Sequence, residues 1–195
     1  MNHRRSTRLR DFDYSQDGAY FVTICTWNRA CVFGDIVQQE MQLNEDGRIV
    51  YREWQRTSQV RNNIKIDSFI VMPNHLHGIV IIDHGNGTLY SHQGRGTLQR
   101  APTREGFGKP VSGSLPTIIR LFKSTTTKQI NLSRHTLGIH VWQRNYYEHV
   151  IRNEKELTET REYIINNPLR WDLDKENLNK IKTDDDRRGE VSSPV

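Results

Sequence analysis

Phe69-Ile70-Val71-Met72-Pro73-Asn74-His75-Leu76-His77-Gly78-Ile79-Val80-Ile81-Ile82 decides how the rest of the chain is read. Two apolar runs flank a Pro-Asn corner, the pattern of two buried strands joined by a tight antiparallel turn. Pro73 fits there because a turn does not need its missing amide hydrogen. Side chains two apart on a strand share a face, so His75 and His77 stand side by side while Leu76 points away. Two imidazoles on a stiff strand form a preformed pair of metal ligands. The pair alone is equally compatible with two ordinary core histidines, so the rest of the chain has to supply the context.

Working back from this hairpin, Ile64-Lys65-Ile66-Asp67-Ser68 extends its first strand, and its second runs on to Asp83. Upstream, Tyr20-Phe21-Val22-Thr23-Ile24-Cys25-Thr26 is rich in aromatic and β-branched residues and follows the turn signal Asp17-Gly18. It reads as a central strand. Between them, residues 43–55 open with capping residues and carry Ile49, Val50 and Trp54 at near-helical spacing, which predicts a helix; Gly47 weakens it slightly. Downstream, residues 115–130 predict a second helix, with Pro116 in its first turn and Ile118, Leu121, Phe122 and Ile130 marking its buried side. A short strand is expected over 138–143. A last helix is expected from about Asn153 to the exit signal Asn167-Pro168.

The 195 residues fit one domain with additions. Lys and Arg number 28 against 23 Asp and Glu, and the pI near 9.3 points to an anionic partner. A mean hydropathy of -0.76 implies that part of the chain is not packed. Residues 1–19 are expected to form a basic arm, in which Arg4, Arg5, Arg8 and Arg10 can lie along phosphates. Residues 84–113 hold seven of the thirteen glycines and read as a mobile insertion. Its Gly-x-Gly pairs lack the strand, helix and partner residues of a phosphate loop. Residues 172–195 read as a charged tail with little to bury, leaving 20–171 as the folded domain. The two cysteines, Cys25 and Cys31, do not form a secreted disulfide framework or a zinc site. No apolar run approaches the roughly 20 residues of a membrane helix, so a cytoplasmic location is expected.

Tyr163 and Asn167 lie one helical turn apart and project from the same face. A phenol is a poor nucleophile at its free pKa near 10. Beside a cation that polarises its target phosphate it becomes a usable one. Asn167 offers an amide oxygen, and imidazole plus oxygen ligation suits Mg²⁺ or Mn²⁺. Tyr163 as a core aromatic with a wet hydroxyl is the plainer reading of the same residue.

Several ordered blocks carry a resemblance. They are Arg5-Ser6-x-Arg8-Leu9, Tyr14-x-x-x-Gly18-x-Tyr20-Phe21-Val22-Thr23, Met72-Pro73-Asn74-His75-Leu76-His77, Trp142-Gln143-x-x-Tyr146-Tyr147-x-His149-x-x-Arg152 and Tyr163-Ile164-x-x-Asn167-Pro168. Over residues 4–171 the chain resembles the one-tyrosine HUH transposases and, within them, the REP-associated tyrosine transposases. The resemblance implies an α+β, ferredoxin-like (RRM-like) antiparallel sheet packed with helices. It implies His75, His77 and Asn167 as metal ligands and Tyr163, rather than Tyr146 or Tyr147, as the nucleophile. It further implies cleavage and rejoining of single-stranded DNA near a hairpin through a 5′-phosphotyrosine, by a bacterial monomer or homodimer associated with the nucleoid when bound. Arg152, with Arg120 and Lys123 on the second helix, is a candidate for DNA contact; a solvated face is the alternative for the helix pair. His149 is expected to support the site. The competing readings are a non-catalytic single-stranded nucleic-acid-binding module and a water-using metal hydrolase.

Overall fold

A computed structural model describes residues 12–85 and 111–178. A four-stranded antiparallel sheet is built from β1 (Gly18–Cys25), β4 (Ile64–Met72), β5 (His75–Ile82) and β6 (Tyr147–Ile151), in the order β4-β5-β1-β6. Helices α1 (Glu45–Gln59) and α2 (Leu115–Ser133) form the two crossovers, and α3 (Glu154–Ile165) follows the last strand. The α+β class and the antiparallel sheet packed with helices expected above are those observed. No helix among the described residues is long and apolar enough to cross a membrane.

Each side of the sheet has its own core. Tyr20, Val22 and Ile24 of β1 pack with Ile49, Val50 and Trp54 of α1 and with Ile118, Ile119 and Phe122 of α2. The alternate residues Ala19, Ile79, Ile81 and Ile151 pack against Leu157 and Ile164 of α3 on the opposite side. This period-2 division sends His75 and His77 to the α3 side. The C-terminal part of α3 carries Tyr163 to His77 on that side, and the two histidines there are buried.

Local chemistry fixes the helices. Asn44 caps α1 through its Oδ1, which accepts from the Gly47 amide at 3.0 Å. Gly47 is required there for space: a Cβ would stand 2.1 Å from the Phe33 carbonyl oxygen. Asn153 caps α3 by accepting from the Glu156 amide at 2.9 Å, while the Glu156 carboxylate reaches back to the Arg152 amide at 2.7 Å. Arg161 on α3 makes a two-pronged contact with Asp67 on β4, at 2.8 and 2.7 Å.

Several expectations need correction. Residues 138–143 form no strand; only Trp142 bridges to Thr26, and the fourth strand is Tyr147–Ile151. The polar Glu148 and His149 disguise that strand, although Glu148 is buried. A small hairpin of β2 (Gly34–Val37) and β3 (Glu40–Leu43) escaped notice because its turn is Gln38-Gln39. Both glutamines adopt positive φ, 51° and 65°, without the Asn-Gly signature such a turn usually carries. The segment read as an arm is packed from Phe12 onward: Tyr14 is buried, and its carbonyl accepts from Leu115 N at 3.0 Å. The charged tail also corrects the reading, since Asp174, Glu176 and Asn177 are buried. Arg4, Arg5, Arg8 and Arg10, most of the Gly-rich insertion and residues beyond 178 lie outside the described residues.

Candidate metal and tyrosine centre

Register puts Thr23 of β1 opposite His77 and Cys25 opposite His75. The His77 Nδ1 lies 2.8 Å from Thr23 Oγ1, and the His75 Nδ1 lies 2.8 Å from Asn74 Oδ1. Asn74 fixes the second tautomer by elimination. Its Nδ2 donates to the carbonyls of Arg29 at 3.1 Å and Glu176 at 2.7 Å, so its oxygen must face His75. The His75 Nδ1 therefore carries the proton and Nε2 keeps a lone pair. That nitrogen is buried with no hydrogen-bond partner among the described residues, as is Asn167 Oδ1. Paired, oriented and otherwise unused donor atoms are what a metal ligand set requires.

The C-terminal segment completes the group. After α3, Asn167 leads into a 3-10 turn, Pro168–Leu173, which returns the chain to the end of β5. Ligand atoms of His75, His77 and Asp174 lie within 4.8 Å of one another. Asn167 Nδ2 donates to Asp174 Oδ2 at 3.3 Å, leaving its Oδ1 for the site. Glu176 holds the segment in place: its carboxylate pairs with Arg29 at 2.7 Å, and its carbonyl accepts from Asn74. Asn74 thus orients one imidazole and clasps the strand of chain that brings the carboxylate.

Tyr163 Oη lies 3.3 Å from His77 Nε2 within the same chain. Phe21 is stacked on His77, with centroids 5.4 Å apart and an interplanar angle of 29°, and meets Tyr163 edge-on at 6.0 Å. Burial pushes His75 down to about 4 and His77 well below the ordinary histidine value, so both imidazoles are neutral and able to ligate near pH 7. Burial, then the Asp174 charge, raises the Tyr163 phenol. Without a nearby cation it stays protonated.

Of the residues singled out from sequence, Tyr163, His75, His77 and Asn167 come together. The other candidates among the described residues lie elsewhere. Arg120 and Lys123 are on α2, across the sheet from the histidines; Lys123 donates to the carbonyls of Gln143 and Asn145, both at 3.0 Å. His149 Nε2 contacts Glu156 at 2.5 Å at the start of α3, and the Arg152 side chain is exposed there. Asp174, Asn74 and Thr23 were missed. Thr23 was accessible once β1 and β5 were known to be neighbours; Asp174 sits in a charged run without periodicity.

A cleft of about 510 Å³ opens beside the phenol, lined among others by Phe21, Tyr147, Tyr163, Arg170, Leu173 and Lys175. Two imidazoles, a carboxylate and an amide oxygen fit a divalent cation with positions left for a phosphate.

No family model matches the chain. A protein from Haemophilus influenzae, described as uncharacterized, is 41% identical over 175 residues, which span 89% of this chain and 93% of that one. Among solved structures, a REP-associated tyrosine transposase bound to a REP hairpin superimposes with a TM-score of 0.51 at 19% identity. The match covers 88% of this chain and 74% of that chain. At that identity the likeness is one of fold.

Proposed function

We propose, for a chain that belongs to the same family as the Haemophilus influenzae protein, that it is a DNA transposase of the single-strand nicking and rejoining kind, with Tyr163 as nucleophile. One observation carries the reading: the chain's own phenol stands 3.3 Å from the Nε2 of His77, beside His75, whose buried Nε2 has no hydrogen-bond partner among the described residues. The transposase-like fold supports it.

His75, His77, Asp174 and Asn167 are the residues that would hold Mg²⁺ or Mn²⁺. Such an ion, when bound, polarises a phosphodiester and offsets the anionic charge of the site. The protein's own part is positioning. The Phe21 ring and the sheet fix the phenol against His77, and β5 spaces the imidazoles. As the Tyr163 oxygen bonds to phosphorus, the phenol proton leaves to solvent. The bond from phosphorus to the 3′-oxygen breaks, and that oxygen takes up a proton. The products are a 5′-phosphotyrosine and a free 3′-hydroxyl. Reversal rejoins strands without an outside energy source, because the covalent link preserves the bond. The proposed substrate is single-stranded DNA bearing a hairpin, with Arg4, Arg5, Arg8, Arg10 and Arg152 as candidate backbone contacts.

The test is incubation of a hairpin-bearing single strand with the protein and Mn²⁺, followed by denaturing electrophoresis. A protein–DNA adduct is expected from wild type and none from Tyr163→Phe or His77→Ala. Identical products from wild type and Tyr163→Phe would remove the nucleophile; binding without any adduct would leave a non-catalytic single-strand binder.

A further inference from the structure

The adjacent tyrosines Tyr146 and Tyr147 are parted by the sheet. Tyr146 packs against the core on the helix side, where the Lys123 ammonium lies 5.4 Å from its ring. Tyr147, the first residue of β6, turns to the other side, pairs in register with Thr23 and is 40% exposed. Its ring meets Phe21 edge-on at 6.2 Å, and Phe21 in turn touches both His77 and Tyr163. The wall of the cleft nearest the phenol is therefore aromatic and continuous from the site to solvent. Opposite it, the returning C-terminal segment contributes Arg170 and Lys175, both exposed, with the Lys175 ammonium 5.4 Å from the Tyr147 ring centre.

From this arrangement we infer that the cleft is a nucleotide subsite, in which Tyr147 is the stacking platform for one unpaired base and Arg170 and Lys175 contact the adjoining phosphates. An exposed aromatic face flanked by mobile cations is the chemistry that holds a single strand without reading its sequence. The volume of about 510 Å³ lies within the range of clefts that enclose small ligands. Lys175 rests over the ring and, on its flexible stem, is free to swing to a phosphate. The substrate class rests on the strand-nicking reading above, but neither Tyr147 nor the two cations are needed for the chemistry at Tyr163.

The experiment reads binding and not cleavage. Full-length protein in EDTA is titrated into fluorescein-labelled oligothymidylate, or an abasic strand of equal length, and anisotropy is followed. Tyr147→Ala is expected to weaken oligothymidylate binding by about 5- to 150-fold, the worth of one base stack. Tyr147→Phe should bind like wild type, because stacking needs the ring and not the hydroxyl. Tyr147→Leu, which keeps apolar bulk, should bind like the alanine variant and serves in its place if that one does not fold. On the abasic strand the penalty should vanish. Lys175→Gln and Arg170→Gln should weaken both strands alike and each lower the salt slope by about 0.7, the single-strand value per phosphate contact. Wild-type affinity in folded Tyr147→Leu overturns the inference, as does a penalty equally large on the abasic strand, or no oligothymidylate binding by wild type. Ring-dependent binding without an adduct in the nicking assay would sink the tyrosine mechanism and leave the subsite; an adduct with ring-independent binding does the reverse.

Discussion

Tyr163 and His77 are 86 residues apart in sequence, yet the phenol oxygen stands 3.3 Å from His77 Nε2. A cation on His77 Nε2 requires the ring proton on Nδ1, facing Thr23, and in that tautomer the phenol donates to Nε2. One lone pair cannot serve both a phenol proton and a cation. Removing the hydroxyl should therefore leave divalent-ion affinity unchanged or improve it, by up to about 10-fold for one neutral hydrogen bond. Mn²⁺ titration of Tyr163→Phe, read from the electron paramagnetic resonance signal of free ion, checks this, with His77→Ala as the variant expected to lose the ion. Weaker binding by Tyr163→Phe would make the phenol a ligand and not a competitor.

Thr23 acts on the site through His77. Its hydroxyl, 2.8 Å from Nδ1, holds the ring's rotation and tautomer. Replacing it with the nearly isosteric valine keeps the packing but leaves Nδ1 without a partner. Loss of such an outer contact is worth about 10- to 100-fold in metal affinity. Thr23→Val should fall in that range by calorimetric Mn²⁺ titration, with a melting temperature near wild type, and Thr23→Ser should recover most of it. An unchanged affinity in Thr23→Val would mean the strand alone fixes the ring.

The hairpin was legible because its two apolar runs and Pro-Asn corner are local signals, and β-strand alternation then assigns both histidines to one face. Ile64–Met72 matches the expected strand from end to end. Tyr163 and Asn167 were legible as one turn of a helix, although α3 stops at Ile165 and Asn167 holds its place through an αR backbone beyond it. What failed was non-local. Asp174 and Glu176 are buried polar residues whose partners, Asn167, Arg29 and Asn74, are scattered along the chain. Burial of a charge announces itself only through such partners, so a run of acids and lysines reads as solvated. The Gln38-Gln39 turn failed for a different reason: positive φ at two non-glycine residues is imposed by the strands on either side.

Gly78 follows the histidine pair and faces the other core. A Cβ there would lie 2.7 Å from Trp54 Cζ2, inside a fully buried indole with no room to retreat. Gly78→Ala should cost about 1–3 kcal/mol, the usual range for overpacking. Urea denaturation measures it, and pairing the change with Trp54→Leu should return part of the loss by vacating the contact. If the single variant matches wild type, β5 and α1 can separate more freely than their packing implies.

Asp67 and Arg161 tie α3, and with it Tyr163, to the edge strand β4. The Arg161 hydrogen bonds hold the Asp67 carboxyl below its usual range, against an opposing effect of burial. A depressed carboxyl stabilises the fold at pH above the unfolded aspartate value, about 3.9, and that contribution disappears as pH falls through the folded value. The Arg161 side chain is about one-third exposed, so solvent screens the pair and only about 1 kcal/mol is expected at neutral pH. Asp67→Asn should thus unfold at lower urea than wild type at pH 7, with the two curves converging towards pH 3. In the nicking assay the same variant should lower adduct yield more than it lowers oligonucleotide binding, because the helix it loosens carries the phenol and not the cationic rim. A gap between the urea midpoints that stays constant down to pH 3 would show that the aspartate charge is not what joins helix to sheet.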